Sequence, residues 1–173
     1  MEKITITAGK YKGRKLKTPG GATHPMGSRE RLALFNMLTG KIAGAFILDA
    51  FAGSGALGIE ALSRDAKKVV FVEKNPKAVA TISENLHSLQ VQDGFEIIKS
   101  RISEVNLGEF DVVLADPPYD DFDLKEVEAL GLLVKKGGIL ALSHPGDAPI
   151  FDGFSLTKTH KYAAAHLSIY SKN

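Results

Sequence analysis

The chain has no cysteine and no tryptophan among its 173 residues. Without cysteine there can be neither a disulfide framework nor a thiolate metal site. The five histidines, at 24, 87, 144, 160 and 166, show no H-x-x-H or H-E-x-x-H spacing and read as surface or packing residues. No serine sits in a G-x-S-x-G elbow, which removes the usual hydrolase reading. No apolar run approaches the length of a membrane span and no signal peptide is visible, so a cytoplasmic protein with no membrane association is expected.

What is present is the composition of an ordinary globular domain, 44% hydrophobic and 24% charged. The charge is unevenly spread. Residues 1–31 carry eight Lys/Arg against Glu2 and Glu30, a net of +6, while the remainder carries fourteen basic and eighteen acidic residues, a net of −4. A basic arm on an acidic body points to a polyanionic partner. The arm itself, "KITITAG" then "RKLKT" around Lys10-Tyr11-Lys12-Gly13, alternates like a β-hairpin. Residues 1–22 are thus expected as a basic hairpin extension, with one catalytic domain over 23–173.

After the Pro19-Gly20-Gly21 link, Ser28 is placed to cap a helix whose Leu32, Phe35 and Leu38 share a face. From residue 45 the pattern alternates. "AFILDA", "KVVFVE", "FEII", "FDVVLA" and "ILALS" read as strands, separated by helical stretches, with Asn75-Pro76 starting one helix. Asp123 and Glu126 resemble a capping box for a helix ending at Lys135-Lys136-Gly137-Gly138. "FSLTKTHKY" and "AAHLSIYS" read as a closing hairpin. Near-continuous apolar strands between helices argue for an α/β fold with a parallel sheet covered on both faces. Ligands of such sheets bind beyond the strands' carboxyl ends, where Asp49, Glu73 and Asp116 should converge.

Gly53-Ser54-Gly55-Ala56-Leu57-Gly58 fits G-x-G-x-x-G, follows a strand and opens a helix. Glu73, twenty residues after Gly53, is placed to hold the hydroxyls of a ribose. Two ligands fit this pattern, a nicotinamide dinucleotide and S-adenosylmethionine. Asp49 favours the second, because a carboxylate repels a pyrophosphate but attracts an ammonium or sulfonium group. "LADPPYDD", at 114–121, adds a stiff elbow: two prolines behind a buried strand hold Asp116 and Tyr119 on its rim. Asp116 and the Pro117 carbonyl can accept the two N–H bonds of an amine, and Tyr119 can stack on a base.

"GKYKGRKLKTP", "SRERLALFNML", "LDAFAGSGALGIEALSR", "VEKN" and "ADPPY", in this order, resemble the RsmD-like bacterial 16S ribosomal RNA guanine-N2 methyltransferases. The resemblance spans nearly the whole chain. It implies the Rossmann-like class I methyltransferase fold, a seven-stranded sheet ordered 3-2-1-4-5-7-6 with strand 7 antiparallel. It implies methyl transfer to the N2 amine of a guanine in 16S ribosomal RNA, naked or in an assembling small subunit, by a monomer that needs no metal. Asp116, Pro117 and Tyr119 would hold the amine. Asp49, Phe51, Ala52, Gly53, Ser54, Gly55, Glu73, Lys74, Arg101 and Ile102 would hold S-adenosylmethionine, leaving S-adenosylhomocysteine as product. Lys10, Lys12, Arg14, Lys15, Arg29 and Arg31 would grip RNA phosphates.

The chain departs from the family pattern at three places. His24-Pro25-Met26-Gly27 precedes Ser28-Arg29-Glu30-Arg31-Leu32, with Leu32 where a Glu is usual. Arg101 replaces an Asn or Asp, and Ser143 stands where a Glu often ends the fifth strand. The rival readings are an amino methyltransferase for adenine N6 or protein glutamine, a non-catalytic RNA-binding assembly factor, and a nicotinamide dehydrogenase.

Overall fold

The computed structural model describes residues 4–20, 26–162 and 165–173; Glu2, Gly21, His24 and Pro25, named above, lie outside these. The first two strands, β1 (Ile4–Thr5) and β2 (Lys15–Leu16), form an antiparallel hairpin. The helix α1 (Ser28–Met37) follows. The alternating part comprises β3 (Phe46–Asp49), α2 (Ala56–Ser63), β4 (Lys68–Glu73), α3 (Pro76–Ser88), β5 (Phe95–Lys99), β6 (Phe110–Ala115) and α4 (Leu124–Leu130). It closes with β7 (Val134–His144), β8 (Phe154–Tyr162) and β9 (Ala165–Lys172).

Strands β3 to β9 form one sheet ordered β5-β4-β3-β6-β7-β9-β8, with β9 antiparallel to both its neighbours. Counted within the sheet, this is the expected 3-2-1-4-5-7-6. Val69 to Val72 and Val112 to Ala115 are buried along their whole length, as strands covered on both faces must be. One face carries α2, α3, α1 and the hairpin; Val127 and Leu130 of α4 pack on the other. Helix α2 lies so close to β4 that a Cβ on Gly58 would fall 2.2 Å from the Phe71 ring.

The hairpin is joined to the body from within. Ile4, Ile6 and Leu16 belong to the main core. Glu60 of α2, fully buried, accepts the backbone N–H groups of Thr7 and Ala8 at 3.0 Å and ion-pairs with Arg31 at 3.3 Å and Arg64 at 3.1 Å. The chain passes so near Ser63 that a Cβ on Gly9 would sit 1.7 Å from its carbonyl oxygen. Only glycine allows that approach.

Three local expectations are corrected. Gly27, not Ser28, is the N-cap of α1, its carbonyl accepting Arg31 N–H at 2.9 Å. The buried face of α1 is Arg31, Leu34 and Phe35, continued by Leu38 at its C-cap, which leaves Leu32 41% exposed. Asp123 does cap α4, accepting Lys125 N–H at 2.9 Å, but the helix ends at Leu130 rather than at 135–138. Val134 instead pairs with Phe110, and the register with β6 resumes at Ile139, so residues 135–138 bulge out of β7 around Gly137 at φ +73°.

Candidate active site

The carboxyl ends of β3, β4, β6 and β7 open on a cleft of about 640 Å³. Asp49 ends β3, Glu73 ends β4, Asp116 follows β6 and Ser143 stands next to last in β7. All four line the cleft, as the crossover of strand order requires.

One half of the cleft is the glycine loop after β3. Ala50 N–H donates to Leu114 O at 2.9 Å and Ala52 N–H to Val72 O at 3.1 Å, so the loop hangs from both neighbouring strands. Glu73 accepts Gly53 N–H on one oxygen and Asn75 N–H on the other, both at 2.8 Å. Each carboxylate oxygen keeps a further lone pair, so these bonds orient Glu73 without exhausting it. Gly53, at φ +54°, would meet nothing with an added Cβ: the loop presents bare backbone to the cleft. Asp49, 1% exposed, accepts Gly58 N–H at 2.8 Å and so ties the start of α2 to the end of β3. Burial pushes its carboxyl up to about 7 against the pull of that N–H, and the charges of Asp116 and Glu73 push the same way.

Of the residues expected at the cofactor, Asp49, Phe51, Ala52, Gly53, Ser54, Glu73, Lys74, Arg101 and Ile102 line the cleft. Gly55 is outside its lining. It is the left-handed N-cap of α2, at φ +79°, packed against Ile59 and Ile82. Its N–H donates to the Ala52 carbonyl at 2.7 Å, closing the turn into α2.

The elbow forms the other half. Asp116, Pro117, Pro118 and Tyr119 line the cleft, and Pro118 leads into a single 3-10 turn over Tyr119–Asp121. Burial pushes the Asp116 carboxyl up to about 6, opposed by the hydroxyl of Ser143. The same hydroxyl bonds the Tyr119 hydroxyl. Either hydroxyl can donate in that contact, which ties the elbow to the end of β7. Burial raises the Tyr119 phenol, the Ser143 bond lowers it, and the charges of Asp116 and Glu30 raise it further.

Ser143 thus lines the cleft and holds the elbow's Tyr119, although in the sequence it stands out only as a departure from the family pattern. Its signal was its place at a strand's carboxyl end. Glu30 of α1 and Tyr162, Ala165 and Leu167 of the β8–β9 hairpin also line the cleft, and no local motif marks them. Among the described residues, Glu30, Asp49, Glu73, Asp116, Asp120 and Glu126 border it against Lys74 and Arg101. Such a lining repels a pyrophosphate and suits a cationic ligand, which counts against the dinucleotide reading.

None of the six cations expected to bind RNA lines this cleft. Lys10, Lys12, Lys15 and Arg29 are exposed. Arg14 donates to the Ser88 carbonyl at 2.7 Å, steadying the hairpin on the end of α3. Arg31 is a correction: it is 1% exposed, paired with Glu60 and bonded to the carbonyls of Met26 and Thr5, and it cannot grip a phosphate.

With this geometry in hand, residues 4–171 match the model of the family described as Conserved hypothetical protein 95. The ribosomal RNA small subunit methyltransferase D of Haemophilus influenzae is 36% identical over 159 residues, covering 85% of this chain and 81% of that one. The chain belongs to the RsmD-like methyltransferases. In three dimensions this RsmD-like chain is similar to yhhF, a proposed methyltransferase of Escherichia coli, with a TM-score of 0.89 at 28% identity over 99% of both chains. It is also similar in fold to the magnesium protoporphyrin IX methyltransferase ChlM of Synechocystis PCC 6803, a structure with bound SAM. That likeness has a TM-score of 0.66 at 15% identity and covers 83% of this chain and 79% of that one.

Proposed function

We propose that this RsmD-like methyltransferase carries a methyl group from S-adenosylmethionine to the exocyclic N2 amine of a guanine in small-subunit ribosomal RNA. The observation that carries the reading is the meeting, in one acidic cleft, of the Gly53 loop and Glu73 with the Asp116–Tyr119 elbow. The name and similarity of the Haemophilus influenzae relative support the class of substrate.

S-adenosylmethionine, when bound, supplies a methyl group already activated on a sulfonium. The residues fit it on three counts: Glu73 at the end of β4 for the ribose hydroxyls, Gly53 with open space before its backbone, and buried Asp49 for the cationic amino-acid moiety. The remaining work falls to the elbow. A guanine N2 lone pair is delocalised into the ring and attacks poorly. Asp116 accepting one N–H and the Pro117 carbonyl accepting the other would pyramidalise the amine and turn its lone pair to the methyl group. Tyr119, its hydroxyl fixed by Ser143, stacks on the base and keeps the attack in line. Asp116, with its carboxyl near 6, is mostly ionised at neutral pH and so is free to accept that N–H, and the proton the amine loses passes to water once the methyl group has transferred. A paired base cannot enter such a cleft, so the target is flipped out or unpaired.

Ribosomal RNA from a strain lacking the protein, digested to nucleosides and analysed by mass, should lose one N2-methylguanosine and regain it on incubation with the protein and S-adenosylmethionine. A lost N6-methyladenosine, or unchanged RNA with an unmethylated protein glutamine, would replace this substrate with one of its rivals.

A further inference from the structure

The segment Phe154–Lys172, which borders the cleft through Tyr162, Ala165 and Leu167, holds three lysines and no carboxylate. Its strand β8 lies at the edge of the sheet. The register explains which side chains it shows to which face. Leu156 stands opposite Tyr170, but the register shifts at Thr157, so that Lys158 faces Ile169, His160 faces Leu167 and Tyr162 faces Ala165. Directly opposed residues share a face of an antiparallel pair. The shift therefore aims Lys158, His160 and Tyr162 to the same face as Leu167 and Ala165, which line the cleft together with Tyr162.

These three side chains form a strip that starts in the cleft and leads away from it for about 13 Å, at strand rise. Lys158 and His160 are exposed. The rings of His160 and Tyr162 are stacked, 6.3 Å between centroids and 24° between planes. An exposed His160 ring stacked on a half-buried Tyr162, beside a cation and continuous with the pocket that would take a flipped base, is the arrangement that binds single-stranded nucleic acid: a base stacks on the exposed ring and a phosphate meets the lysine.

We propose that Lys158, His160 and Tyr162 are a platform for a nucleotide flanking the target base in unpaired RNA. This rests on the RNA-methyltransferase reading above and adds a second contact, distinct from the hairpin. The ordinary alternative is an edge strand guarded by lysine against aggregation.

The probes are a short single-stranded purine oligoribonucleotide, the same strand with abasic sites, and inorganic polyphosphate, each titrated into the full chain. His160→Ala should weaken the purine strand about tenfold, the scale of one lost stack, and leave the salt slope, the abasic strand and polyphosphate unchanged. Lys158→Ala should instead flatten the salt slope by about 0.7, as for one phosphate contact on a single strand. S-adenosylmethionine affinity and the melting temperature should be unchanged in both. If the wild type binds RNA and His160→Ala binds it equally well, the platform is overturned and the methyltransferase reading stands. A parallel loss on polyphosphate would also overturn it, since the strip would then be a charge patch. If the wild type binds no RNA, both fall.

Discussion

At the scale of single residues, the elbow makes the sharpest demand. Asp116→Ala should leave S-adenosylmethionine binding nearly intact by calorimetry, while single-turnover methyl transfer falls about 10²-fold, as for a lost positioned hydrogen-bonding group. Asp116→Asn keeps an acceptor oxygen and should retain more activity than Ala; equal loss would mean that charge or proton acceptance, not geometry, is what Asp116 provides. Asp49 carries a pH prediction. Its carboxyl is raised to about 7 in the protein alone, so the protonated form is favoured by folding. That contribution to stability is whole below about pH 4 and is lost as pH rises towards 7. Cofactor binding runs the other way, because a cationic ligand needs the ionised form. S-adenosylmethionine affinity should therefore rise between pH 6 and 8, and Asp49→Asn should remove that rise. A flat profile in the wild type would sever Asp49 from the ligand.

At the scale of elements, the hairpin divides into an inner and an outer surface. Ile4, Ile6 and Leu16 face the core, while Lys10, Lys12 and Lys15 are exposed. Replacing those three lysines with alanine should weaken RNA binding and reduce its salt slope by about 0.7–0.9 per lost phosphate contact, with cofactor affinity unmoved. Filter binding at several salt concentrations would read it; an unchanged slope would leave the lysines as solvated surface. Arg31 does not belong in that set, although it lies next to Glu30 in the same basic stretch. Its guanidinium is drawn down by burial and held charged by Glu60.

At the scale of the whole molecule, Glu60 joins three parts of the chain: the turn at Thr7 and Ala8, the helix bearing Arg31, and its own helix α2. An exposed ion pair contributes about 0–1 kcal/mol, but stripping a partner from a buried one costs roughly 3–5 kcal/mol, because the charge left behind has no compensation. Glu60→Ala should lower unfolding free energy on that larger scale in a urea titration. A loss below about 1 kcal/mol would show that water and the remaining carbonyl partners compensate Arg31. Through Arg31 the same network holds the Met26 carbonyl, next to Gly27 at the rim of the cleft.

The strand order and the cleft were legible because their causes are local. Val69–Val72 and Val112–Ala115 announce strands buried on both faces, Gly55 and Asn75-Pro76 mark where helices start, and a carboxylate at a strand's end must reach the crevice wherever that strand lies. The helical reading holds through the 3-10 turn Gly131–Leu133 and fails over 134–138, because β6 recruits Val134 as a pairing partner, a tertiary choice stronger than the local pattern. Leu32 and Arg31 changed places for a similar reason: an apolar residue prefers burial, but an arginine is buried when a carboxylate and two carbonyls wait for it, and Glu60 lies 29 residues away in the chain. Ser143 meets Tyr119 across 24 residues, through the adjacency of β6 and β7. By itself the sequence determined which residue types stand at the ends of which strands. Only the tertiary structure decided which of them share a proton, which cation is buried and which face the edge strand shows, because each of these depends on a partner that pairing, not sequence distance, brings near.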